Sequence, residues 1–163
     1  MSDTVLVPID GSEASSKALD SAVALARAVN GKIALCHVVN VTKAAMLTYG
    51  NPQFVAECLN ALRDDGRSLL DATCETLRAT FPSVETYLFQ GNPQEEIVRA
   101  ASELRAGWIV MGSHGRSGLG RALLGSVAEG VLRHATVPLL IVPFRRKPHR
   151  SPQDSTPAQA TAR

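Results

Sequence analysis

Aromatic residues are scarce in this chain, with one Trp, two Tyr and four Phe among 163 residues. Single-stranded nucleic acids are held on stacked rings, and that platform is missing here. A net charge of +2 is too small to track a phosphate backbone, so no nucleic-acid partner is expected. The three cysteines, Cys36, Cys58 and Cys74, are an odd number without a C-x-x-C pair or a histidine at ligand spacing. Neither a disulfide framework nor a zinc site is expected, and the thiols read as small core residues. Charges interrupt every apolar run before it reaches the length of a membrane span. The opening "MSDTVLVPID" has no basic segment ahead of an apolar one, so no secretory signal is expected and the cytoplasm is the expected compartment.

What is present fits one globular domain over residues 1–144, with 45% apolar and 20% charged residues. "TVLVPID", "KIALCHVV", "VETYLF", "WIVMG" and "PLLIVP" are short apolar runs rich in branched side chains, and they read as strands. Helical stretches separate them. Ser12 caps the first, which Gly31 is expected to stop. Residues 40–52 have no clean period and read as an irregular connection. A long amphipathic helix is expected from Gln53 to Thr80, with Gly66 as a candidate bend and Pro82 forcing its end. Asn92, Pro93 and Glu95 form a helix start. Such alternation is the pattern of a parallel sheet covered by helices on both faces. Residues 145–163 are rich in Pro, Ser, Thr and charge, and are expected to be a disordered tail with a weak basic cluster at Arg145, Arg146, Lys147 and Arg150.

Between the fourth and fifth strands, Val110 to Val131 hold six glycines. Two familiar phosphate loops fail there. Gly115 to Gly120 has the Walker A spacing, but Arg121 and Ala122 follow it. Gly118-x-Gly120 would open a dinucleotide fingerprint, but its third glycine is Leu123. What fits is Gly112-x2-Gly115-x9-Gly125-Ser126. Gly125, Ser126 and Val127 would open a helix whose first N–H groups have no partner within it, and the helix dipole adds to their attraction for an anion. Gly112 and Gly115 lack the Cβ atoms that would keep a ribose-phosphate off the loop. Ser126 could donate to a phosphate or cap the helix, and one side chain serves one role.

This spacing, together with "VLVPIDGSEAS", "LCHVV" and "GNPQEEIVRAA" in the same order, resembles the universal stress protein family, in its ATP-binding form, over residues 4–143. The resemblance implies an open five-stranded parallel sheet of order 3-2-1-4-5, a Rossmann-like α/β fold of the adenine-nucleotide α-hydrolase type. That order sets strands one and four side by side, with the ligand outside their carboxyl ends. It further implies that Pro8, Ile9 and Asp10 receive the adenosine, with Val38 against adenine and Met111 lining the pocket. Asp10 could instead support the turn into the first helix, and Val38 could be core. Gly112, His114, Gly115, Arg116, Gly125, Ser126 and Val127 would meet the phosphates, although His114 could serve the loop itself. His37 reads as a structural histidine. The implied ligand is ATP, with magnesium arriving on the triphosphate and AMP or cyclic AMP as alternatives. A homodimer through the last strand, Val137–Val142, is implied as well, alongside unidentified protein partners.

Hydrolysis needs a positioned water, an orienting base and positive charge on the γ-phosphate. The chain offers no P-loop lysine and no evident base, so no catalytic residue is assigned and ATP turnover is weak at most. Related ATP pyrophosphatases carry S-G-G-x-D-S after strand one, where this chain reads "PIDGSEAS". A nucleotide-dependent stress-response module is thus expected. A member acting by protein contacts alone, or a slow ATP-hydrolysing enzyme, are the alternatives.

Overall fold

The computed structural model describes residues 2–114 and 124–143. Along them run β1 (Thr4–Pro8), α1 (Glu13–Ala28), β2 (Lys32–Asn40), α2 (Val41–Leu47), α3 (Pro52–Arg78), β3 (Val84–Gly91), α4 (Pro93–Glu103), β4 (Trp108–Gly112), α5 (Ser126–His134) and β5 (Leu139–Val142). All strand pairs are parallel and the order is β3-β2-β1-β4-β5, as the family resemblance implied. The tail at 145–163 lies outside the described residues.

Side chains alternate across each strand, so one short apolar run feeds two cores. Val5 and Val7 join Ile33, Leu35 and Val110 against Ala18, Ala22 and Ala26 of α1 and Leu70, Cys74 and Leu77 of α3. Leu6, Ala34, Cys36, Ile109 and Met111 point the other way, onto Ile97 and Ala100 of α4 and Ala128 and Val131 of α5. Each fully buried Val, Leu or Ile contributes about 1.5–3 kcal/mol. Burial on both faces explains why β1, β2 and β4 show no polar alternation.

Local signals set the helix ends. The Ser12 side chain accepts from Ser15 N–H at the start of α1, and Asn92 accepts from Gln94 N–H at the start of α4 with Pro93 behind it. Gly31 acts differently from the sequence expectation. The left-handed residue after α1 is Asn30, with φ 49°, while a Cβ on Gly31 would lie 1.9 Å from the Asp3 carbonyl oxygen. Glycine is needed there for a close chain crossing. Residues 40–52 also depart from expectation, because α2 occupies Val41–Leu47. It is held by an Asn40 cap on Lys43 N–H and buries only Ala44, which leaves no apolar period to read. α3 runs through Gly66 without interruption, from Pro52 to Arg78. Among the described residues, no helix is long and apolar enough to cross a membrane.

Candidate functional site

Strand order reverses between β1 and β4, and the chain leaves these two neighbours in opposite directions across the sheet. A crevice must open where they part. It is a cavity of about 360 Å³, walled by the carboxyl ends of β1, β2 and β4 and by the start of α5. That volume falls within the range of small-molecule sites.

From β1 come Pro8, Ile9 and Asp10. The backbone of Ile9 is committed on both sides. Its N–H donates to Cys36 O at 2.8 Å, and its carbonyl accepts from His37 Nδ1 at 2.8 Å. What Ile9 offers the cavity is therefore its side chain. Asp10 Oδ1 accepts from Ser12 N–H at 3.0 Å and from Ser12 Oγ at 2.6 Å, so the carboxylate does support the turn into α1 while lining the cavity. His37 has the structural bond expected of it. Val38 lines the cavity with one side and packs on the α4/α5 core with the other.

Met111, Gly112 and His114 enter from β4. The bareness of Gly112 is filled from elsewhere: a Cβ there would meet the Ala14 backbone at 2.9 Å, so the glycine first lets α1 settle on β4. His114 Nδ1 lies 3.0 Å from Ser113 Oγ. Its Nε2 is buried and, among the described residues, has no hydrogen-bond partner. Where the Ser113 hydroxyl donates to Nδ1, Nε2 carries the proton and is a donor awaiting an acceptor; where Nδ1–H donates to Ser113 Oγ, Nε2 is an acceptor awaiting a donor. Such orphaned groups are costly unless a ligand satisfies them.

Gly125 N–H donates to Ser113 O at 2.8 Å, which ties the start of α5 to the end of β4. Gly115 and Arg116, expected phosphate contacts, lie outside the described residues. Gly125, not Ser126, is the N-cap, and it makes no side-chain capping bond. Ser126 sits one residue into the helix, so its hydroxyl is released from the capping role that competed with phosphate contact. Gly125, Ser126 and Val127 all line the cavity, and the first-turn N–H groups have no acceptor within their own helix.

Sequence reasoning missed Lys43, Asn40, Ser15 and Leu62, which also line the cavity. Lys43 rides on α2, the helix without an apolar period, Leu62 comes from the distant α3, and Asn40 caps α2 from the stretch read as an irregular connection. Cys36 closes the floor. Burial pushes its thiol up to about 12, so it is a neutral, unreactive wall. Among the described residues, no group of three or more His, Cys, Asp or Glu could hold a metal ion.

The universal stress protein family profile matches residues 1–143. The universal stress protein YxiE of Bacillus subtilis is 35% identical over 147 residues, spanning 87% of this chain and 99% of its own. The solved structure of the hypothetical protein MJ0577, from Methanocaldococcus jannaschii, superposes with a TM-score of 0.77 at 29% identity, covering 88% of this chain and 97% of that one. A universal stress protein crystallised in complex with cAMP superposes with a TM-score of 0.54 at 27% identity, covering 85% and 94%.

Proposed function

The chain belongs to the universal stress protein family, and we propose that it is an ATP-binding regulatory module of that family, acting as a homodimer. The observation that carries the reading is the buried His114 Nε2, without a hydrogen-bond partner among the described residues, at a cavity that is also lined by the open first turn of α5. The α5 turn calls for an acceptor, as does His114 in the tautomer protonated at Nε2, and a phosphate chain supplies several. Adenosine would lie at the other end, against Val38 and the Ile9 side chain, with Asp10 accepting from its exocyclic amine or ribose hydroxyls. Gly115 and Arg116 belong to the same proposal through the sequence motif alone. Magnesium would come with the triphosphate and complete its charge neutralisation. The cAMP complex of a relative supports adenine-nucleotide binding in general and keeps AMP and cyclic AMP as rival ligands.

Binding, release and the altered contacts that follow are the activity proposed. The described part of the cavity holds one exposed lysine, Lys43, and no carboxylate besides Asp10, which is a poor set for activating water. Mass spectrometry of small molecules released from the purified protein, followed by calorimetric titration with ATP, AMP and cyclic AMP, tests the reading. ATP recovered or bound most tightly is the expected result. No affinity for any of the three would overturn it.

A further inference from the structure

Two glycines stand inside helices, where glycine is the poorest residue after proline. A Cβ on Gly66 of α3 would lie 2.7 Å from His37 Cδ2 and 3.0 Å from Leu88 Cδ1. A Cβ on Gly130 of α5 would lie 2.3 Å from both Cδ and Oε1 of Gln94. Each glycine is a notch that seats a polar side chain from another element. Each seated side chain then donates to one backbone carbonyl at the cavity. His37 Nδ1 reaches Ile9 O at 2.8 Å, and Gln94 Nε2 reaches Ser126 O at 3.0 Å. Ile9 and Ser126 stand at opposite ends of the proposed ligand. A shared device thus recurs at both ends: helix notch, seated donor, pinned backbone.

We infer that His37 and Gln94 are the positioning residues of the site, His37 for the adenosine end and Gln94 for the phosphate end. The inference rests on the adenine-nucleotide reading above. His37 fixes the turn that presents Asp10, because the Ile9 carbonyl is otherwise the first group free to swing after β1 ends at Pro8. Gln94 ties α4 to the first residue of α5, so the N–H groups and the Ser126 hydroxyl keep their aim. Preorganisation of this kind lowers the ordering cost of binding.

The two roles separate by ligand. Calorimetric titration of the full chain with ATP and with adenosine should show His37→Phe weakening both by a similar factor, about tenfold for one lost hydrogen bond. His37→Asn keeps an N–H donor near the same place and should recover most of that loss. Gln94→Met should weaken ATP by about tenfold and leave adenosine unchanged. Equal losses on both ligands in Gln94→Met, or unchanged affinities in both variants, would overturn the inference. Without any ligand, nitrogen-15 spectra of the imidazoles should show His37 protonated at Nδ1, and protonation at Nε2 alone would remove its role. If the unaltered protein binds neither ligand, the nucleotide reading falls and takes this one with it. Binding by the unaltered protein with flat variants removes the positioning roles alone.

Discussion

Gly112 and Ala14 sit closer than any pair of residues with side chains could, for a Cβ added to Gly112 would lie 2.9 Å from both the carbonyl carbon and oxygen of Ala14. The obstacle is backbone, which cannot step aside as a flexible side chain would. Gly112→Val is therefore expected to cost about 1–3 kcal/mol by overpacking. Because α1 begins beside Asp10, the same change should weaken nucleotide binding. Chemical denaturation together with ATP titration checks both, and a Gly112→Val protein of undiminished stability would contradict this packing.

Gly125→Leu should behave in the opposite way. Gly125 has φ −64° and ψ 152°, a conformation open to any residue, so no backbone strain is expected. A leucyl side chain at the mouth of α5 would project where the phosphates are proposed to lie. ATP affinity should fall by at least about tenfold while the melting temperature stays near that of the unaltered protein. Full affinity would move the phosphates elsewhere.

β5 is an edge of the sheet, and Leu140 on it is 41% exposed. Open apolar edges invite pairing with another chain, and lysine is a natural guard against it. Light scattering at micromolar concentration should find a dimer, and Leu140→Lys should yield a monomer of unchanged fold. A monomeric unaltered protein would defeat the homodimer proposal.

Cys36 predicts an alkaline limit to stability. Burial raises its thiol to about 12 from an ordinary 9.0. In the unfolded chain the thiol would ionise near the ordinary value, so between these two limits the folded state binds more protons than the unfolded one. Stability linked to this group is therefore complete below pH 9 and is lost as pH rises toward 12, up to about 4 kcal/mol. Cys36→Ala has no such linkage. The stability gap between the two proteins, measured by denaturant unfolding, should narrow or reverse between pH 9 and 11. In native protein at pH 8, a thiol reagent should reach half-buried Cys58 well before buried Cys36 and Cys74.

How far the chain could be read in advance depended on range. Strands buried on both faces announce themselves as short branched runs, and Asn92-Pro93 or Ser12 mark helix starts by purely local chemistry. Pairing is not local: nothing in "TVLVP" or "WIVMG" says that Val5 will stand beside Trp108, and the sheet order came from family likeness. The same division runs through the cavity. Met111, Gly112 and Gly125 belong to one glycine motif and were legible together. Lys43 and Leu62 reach the cavity through α2 and α3, whose placement depends on tertiary packing. Ser126 shows the subtler gap, since hydroxyl chemistry allowed two roles and only the one-residue position of the helix start removed the capping one.

The sheet keeps its two hydrophobic layers apart, with α1 and α3 on one side and α4 and α5 on the other. They approach each other at the crevice, where Ile9 belongs to the first and Met111 to the second. A guest molecule there would act as a rivet between the two layers. Heat resistance of the whole chain should then climb with the logarithm of guest concentration above its dissociation constant, which turns a simple melting curve into a gauge of how full the crevice is.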